Sequence, residues 1–255
     1  MKKYLALTLI GLAAMTASMA QDEFKLAKSS GKLVINLSSV TVEGYSGTEI
    51  VFSSENSSRR EDERAKGLKP ISGSGYSDNT NLGINVTDKG TTVEVNQVTQ
   101  RDHRIKIKVP KGISISYNFD KVEAGKAQFK NIESEIEVSV QYNSVMLENV
   151  TGPLTIKTIY GGVDAKLTEN IKGPISIASI YGHVDVAIPV ATKANVSLST
   201  SHGEILAASE FKIDMEKSSE WVNYSANKVK GKMNGGGLEF NLRADYGKIY
   251  LRKNN

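Results

Sequence analysis

The chain contains no cysteine. An exported protein can draw on disulfides; this one must be held by its packed core. The same absence removes the lipid-bearing cysteine of an ordinary lipoprotein. With only three histidines, it also leaves too few ligands for a transition-metal site. Helical periodicity is almost missing after Gln21. Beyond residue 20, no run is long and apolar enough to cross a bilayer as a helix. No charge of one sign dominates: without Lys2 and Lys3 the chain carries 30 basic and 28 acidic residues. Nothing in that balance invokes nucleic acid as a partner. No nucleophile elbow, Walker loop or dinucleotide fingerprint stands in a strand–turn–helix context. The run Gly235-Gly236-Gly237 precedes a strand, so it cannot present helix amides to a phosphate.

What is present begins with an export sequence. Lys2 and Lys3 precede an apolar stretch from Tyr4 to Met15, and Ser18-Met19-Ala20 places small residues at the −3 and −1 positions. Residues 1–20 are therefore expected to be a signal peptide cleaved before Gln21, with residues 21–255 forming one exported domain without an integral membrane span. The location implied is the periplasm or the cell surface.

Alternation of apolar and polar residues predicts strands at 32–37 (KLVINL), 40–42, 49–52, 83–86, 91–95, 105–109 and 113–117. Residues 53–81 break the pattern and read as a long, flexible, charged loop. Arg59, Arg60, Arg64 and Lys66 there are cancelled by Glu61, Asp62 and Glu63, which makes it a solvated loop and no basic patch.

From residue 131 to 206 the chain repeats. NIESEIEVSVQYNSVM, NVTGPLTIKTIYGGVD, NIKGPISIASIYGHVD and ATKANVSLSTSHGEIL align without internal gaps, at steps of 18, 21 and 21 residues. Three columns are wholly aliphatic: Ile136, Leu154, Ile175, Val196; Val138, Ile156, Ile177, Leu198; and Val145, Val163, Val184, Ile205. Between the first two lie Glu137, Thr155, Ser176 and Ser197. Period two within a unit means strand, and a fixed step between units means solenoid. Asn143, Gly161, Gly182 and Gly203 share a column expected to serve a positive-φ corner. Tyr142, Tyr160, Tyr181 and His202 precede them, rings that stacked coils would hold about 4.8 Å apart. A further column holds Asn131, Asn149 and Asn170, followed by Gly-Pro corners at 152–153 and 173–174. The theme returns at 238–251, offset by 44 residues, as a final coil, and 209–234 is read as an inserted hairpin. The fold class is all-β: a single-domain parallel β-solenoid of about 18–21 residues per coil, whose exposed ends need covering strands.

NVTGPLTIKTIYGGVDAKL and IKGPISIASIYGHVDVAI, with IKIKVPKGISI and NGGGLEFNLRADYGKIYL, resemble the DUF4097-type adhesin-like proteins, particularly secreted members from Bacteroidota. The resemblance spans roughly residues 30–251. It implies a parallel β-solenoid and an adhesin-like role, and carries no catalytic or metal residue.

Few residues suggest chemistry. Asp164 and Asp185 share a column, and close carboxylates can share a proton as in glycan-cleaving enzymes. Met146 and Leu206 flank them, which favours solvated surface carboxylates, and an oxygen cage for calcium is not visible. His183 and Glu204 share a column with Lys248 at the corner, a general-acid arrangement that solvent would reach. His202 stands as a stacking substitute for tyrosine, and His103 has no zinc set around it. Trp221 and Tyr224 either pack the inserted segment or contact a partner. No catalytic, cofactor-binding or metal residue is assigned. The expected function is a non-catalytic exported envelope protein that binds or scaffolds an envelope protein or glycan. The alternatives are a β-helical polysaccharide-active enzyme, an envelope-stress regulatory component, and an outer-membrane β-barrel, for which the aromatic girdles are missing.

Overall fold

A computed structural model describes residues 23–55, 63–99, 104–216 and 227–254. Strand β1 (Glu23–Leu26) precedes a first coil of β2 (Ser30–Asn36) and β3 (Val40–Tyr45). After β4 (Ile50–Ser54) and β5 (Ile84–Asp88), further coils follow. They are β6 (Thr92–Gln97) with β7 (Ile105–Pro110), β8 (Gly112–Phe119) with β9 (Lys126–Lys130), β10 (Ile136–Val140) with β11 (Ser144–Val150), and β12 (Leu154–Thr158) with β13 (Val163–Leu167). Then come β14 (Ile175–Ser179) with β15 (Val184–Ile188), and β16 (Ala194–Thr200) with β17 (Ile205–Ala207). Strands β18 (Ile213–Met215) and β19 (Asn227–Met233) separate these from the coil of β20 (Leu238–Ala244) and β21 (Ile249–Lys253).

In each coil the first strand enters an eleven-stranded sheet, called sheet I, and the second a ten-stranded sheet, called sheet II. Coil strands pair in parallel with their neighbours in the stack. The chain is thus an all-β parallel solenoid of two facing layers. Its core is one continuous hydrophobic cluster between them, mostly aliphatic, running from Leu33 to Leu251. The three predicted columns are in register through their first three coils and point into that single core. Burying one such side chain is worth about 1.5–3 kcal/mol relative to exposure, set against the entropy of ordering the chain.

Two expectations are corrected. The coil of β16 and β17 does not stack on that of β14 and β15. The coil of β20 and β21 lies between them: Ile175 pairs with Phe240 and Phe240 with Val196, while Ile249 sits between Val184 and Ile205. Repeat alignment could not reveal this, because Phe240 and Ile249 satisfy the same apolar columns as the residues on either side. A mirrored insertion occurs at the other end, where β2 lies between β6 and β8.

The second correction concerns the glycine column. None of Gly161, Gly182, Gly203 and Gly247 has positive φ. They are required by close approach: a Cβ on Gly182 would lie 2.2 Å from the Gly161 carbonyl oxygen, and one on Gly247 would lie 2.0 Å from that of Gly182. The left-handed residues are at the opposite corner, where Asn131 and Asn149 both have φ 55° and Asn149 Nδ2 donates to Asn131 Oδ1 at 2.6 Å.

Antiparallel strands flank the parallel stack. At one end β4 pairs with β7, β1 with β4, and β5 with β6. At the other, β19 pairs with β16 and β18 with β19. The chain between β4 and β5 is exposed around Leu68 and Ile71, then returns to the stack at Asp78, which is 3% exposed. The Asp78 carboxylate accepts from the Thr80 and Gly83 amides, and the Asn79 side chain pairs with both backbone polar groups of Val86, closing the edge of β5.

Candidate binding face

The outer face of sheet I is built from the residues that alternate with the buried columns. In register across the stack, Thr155, Ser176, Asn241 and Ser197 form one row, and Lys157, Ala178, Arg243 and Ser199 the next. Short hydroxyl and amide side chains on a parallel ladder make a polar floor with one residue per strand spacing. The row Glu137, Thr155, Ser176, Ser197 was legible as the polar column of the repeat; Asn241 entered it through the inserted coil.

One margin of this floor is a groove of about 450 Å³ crossing several coils. Gln141, Lys157, Ile159, Ile180, Arg243 and Asp245 are among its walls. Ile159 and Ile180 each follow the last buried residue of a sheet I strand, and Ile180 is 37% exposed. Arg243 donates from Nε and Nη2 to Asp245 at 2.6 and 2.9 Å, which holds its guanidinium above the ordinary arginine value. The sequence signal for the groove was an isoleucine where alternation calls for a polar residue, in TIYG and SIYG.

Beside the groove, at the corner leading to sheet II, runs the ring ladder. Tyr142, Tyr160, Tyr181 and Tyr246 stack with centroids 4.9, 5.1 and 5.0 Å apart and interplanar angles of 14°, 8° and 15°. His202 closes the ladder on Tyr246 at 4.8 Å, tilted by 50°. Tyr160, Tyr181 and Tyr246 are 52%, 52% and 55% exposed. Both faces of Tyr160 and Tyr181 are covered by neighbouring rings, so a sugar cannot stack on them. They offer ring edges and hydroxyls.

The carboxylates singled out by sequence each have their own side-chain partner. Asp164 Oδ1 lies 3.0 Å from His183 Nε2, and Arg252 Nε donates to both oxygens of Asp185 at 2.8 Å. Asp185 raises the Arg252 guanidinium above its usual value. Asp164 and Asp185 are direct partners in register, as the repeat placed them, and the residue beyond Asp185 is Tyr250 in place of Leu206. Lys248 likewise stands between His183 and Glu204. Its Nζ is 2.7 Å from Glu204 Oε2, and this hydrogen bond holds Glu204 below the usual carboxylate range. Among the described residues, no three His, Cys, Asp or Glu side chains gather as metal ligands. Gly235 and Gly236 have φ 86° and 87° and turn the chain from β19 into β20. Residues 1–20, Arg59, Arg60, His103, Trp221 and Tyr224 lie outside the described residues.

No family model and no curated protein matches the chain. Among solved structures, a "putative cell adhesion protein" from Clostridium sporogenes ATCC 15579 resembles it at a TM-score of 0.48 and 13% identity, over 92% of this chain and 100% of that one. Among the described residues, no helix is long and apolar enough to cross a membrane.

Proposed function

We propose that the chain is an exported, non-catalytic envelope protein that binds or scaffolds an extended partner along its solenoid. The observation that carries this reading is the outer face of sheet I, a row of Thr155, Ser176, Asn241 and Ser197 bordered by the groove at Ile159 and Ile180. A parallel ladder repeats its hydrogen-bonding groups at one strand spacing, about 4.8 Å, which suits a partner that is itself extended. The contacts of Asp164 with His183 and of Asp185 with Arg252 support a structural role for these carboxylates. The export sequence at residues 1–20 and the resemblance of 149–188 to adhesin-like proteins point the same way.

The test is fractionation of the producing cells followed by capture of envelope components on the purified chain. Retention of one envelope component, with no release of reducing ends from a polysaccharide panel, is the expected result. Reproducible cleavage of any polysaccharide that is abolished by changing Asp164 and Asp185 to Asn would replace this reading with the enzymatic one.

A further inference from the structure

Strand β19 has the sequence NKVKGKM. Successive side chains alternate sides, and the two sides differ sharply. Val229 packs against the core, Gly231 faces the backbone of Asp214, and Met233 is fully buried. Lys228, Lys230 and Lys232 are consequently on the outer face of sheet I, and all three are exposed. They stand about 6.6–6.8 Å apart along the strand, two residues at a time. Their partners in register on β16 are Ser199, Ser197 and Asn195, all uncharged. Among the described residues none of the three lysines has a carboxylate within 4 Å, although Lys and Arg form ion pairs elsewhere, from Lys25–Glu23 to Lys253–Glu210. Asp214 and Glu216 stand across from Lys232 and Lys230 without an ion pair to either, and Glu239 accepts from Asn195 at 2.7 Å.

The result is a rail of three exposed lysines, none ion-paired among the described residues, beside the floor of Ser197, Ser199 and Asn241. Further along the row that begins with Lys228 and Ser199 come Arg243 and Lys157. We infer that this end of sheet I binds an acidic polysaccharide, with the lysines taking its carboxylate or sulfate groups and the Ser and Asn side chains its hydroxyls. The inference rests on the proposed binding role and names the ligand class for that face. Two features select a glycan over a nucleic acid: the rail is bordered by hydroxyl and amide groups suited to sugars, and the described residues of β12, β14, β16 and β19 include no aromatic side chain on which bases could stack. Lysines also protect strand edges from association, and the experiment separates that role from binding.

Full chain would be applied to immobilised polygalacturonate, dextran and double-stranded DNA over a range of salt. Polygalacturonate is expected to bind, with affinity falling as salt rises, and dextran is not. Replacing Lys228, Lys230 and Lys232 by Ser should weaken binding by about tenfold or more, the sum expected of three exposed ion pairs. Replacing them by Arg should preserve it. A control with Lys108, Lys121 and Lys166 changed to Ser, remote from the rail, should stay within about twofold. Unchanged binding by the rail variant, equal loss in the control, or DNA binding as tight as polygalacturonate binding would overturn the inference. So would a rail variant that only aggregates while the Arg variant binds no acidic glycan. Capture of an envelope component in the absence of acidic-glycan binding would sink this inference and leave the proposed function standing.

Discussion

Tyr246 stacks on Tyr181 with centroids 5.0 Å apart and rings inclined by 15°, so two coils separated in the chain by the whole of β16–β19 share one aromatic column. The ring of Tyr181 is covered on both faces, by Tyr160 and by Tyr246. Each aromatic pair contributes about 0.5–1.5 kcal/mol beyond area burial, toward the low end for rings half in water. Tyr181→Ala is expected to cost about 1–2 kcal/mol, and Tyr142→Ala, which loses one stacked neighbour, about half as much. Urea unfolding midpoints would show the difference; equal costs would mean that the rings contribute only as isolated side chains.

The glycine corner makes a sharper demand. Gly182→Ala would place a methyl 2.2 Å from the Gly161 carbonyl oxygen, a backbone atom that cannot move without parting two coils. A loss of about 2–4 kcal/mol is expected, as for other cases of overpacking and strain. Gly73→Ala, with nothing within 4 Å and no positive φ, should fall within about 0.5 kcal/mol of the parent. Calorimetry on the two variants decides whether proximity, and not turn flexibility, fixes this column.

The buried joint between coils gives a pH prediction. Tyr117 is fully buried and donates to the Leu37 carbonyl at 2.9 Å, while Asn143 Nδ2 donates to the Tyr117 oxygen at 2.7 Å and to the Ser38 carbonyl at 2.6 Å. Burial pushes the Tyr117 phenol well above its ordinary value, and the Asn143 hydrogen bond only partly opposes it. The folded state therefore holds this proton after the unfolded state has lost it. Its contribution to stability is complete below about pH 10 and is lost as pH rises from there toward the folded value. Tyr117→Phe should flatten stability between pH 9 and 11, measured by denaturant titration at each pH (about one pH unit either side of a free phenol). Asn143→Ala should cost about 1–3 kcal/mol at neutral pH, since it strips a donor from the buried Tyr117 oxygen and from the Ser38 carbonyl.

At the surface, Glu133 joins two loops by accepting from Lys111 at 2.6 Å and Lys172 at 2.9 Å. These hydrogen bonds, Lys111 first, hold its carboxyl down to about 2. A depressed carboxylate stabilises the fold above its unfolded value and loses that contribution as pH falls toward 2. Carbon-detected NMR titration should find Glu133 midway near that value. In a Lys111→Met, Lys172→Met double variant it should return to the ordinary glutamate range, about 4.3.

The sequence made the core legible because the same aliphatic character recurs at Ile136, Leu154 and Ile175 with a near-constant step, and a strand tolerates only period two. It could not order the layers. Phe240 fits between Ile175 and Val196 on chemical grounds no better than Val196 fits directly on Ile175, and only the ladder distinguishes them. Strand β9, KAQFK, was overlooked because its inward positions are only Ala127 and Phe129. Strand β1 was overlooked because it holds four residues. The lysine rail was hidden for a related reason: NKVKGKM alternates cleanly, but its inward face depends on pairing with β16, which no local pattern announces. The reason for glycine at 161, 182 and 203 was misjudged because a turn residue and a contact residue look alike in one dimension.

The interleaved order of coils removes a freedom that most stacked-repeat proteins possess. In a solenoid laid down sequentially, each repeat can settle on its predecessor as soon as it is made, and units can be lost or duplicated with only local adjustment. Here β16 and β17 have no finished surface to settle on until 238–253 has been synthesised and slotted beneath them. Assembly must wait for distant chain, which slows it, and duplication of a single repeat in this region would leave one layer with no place in the pile.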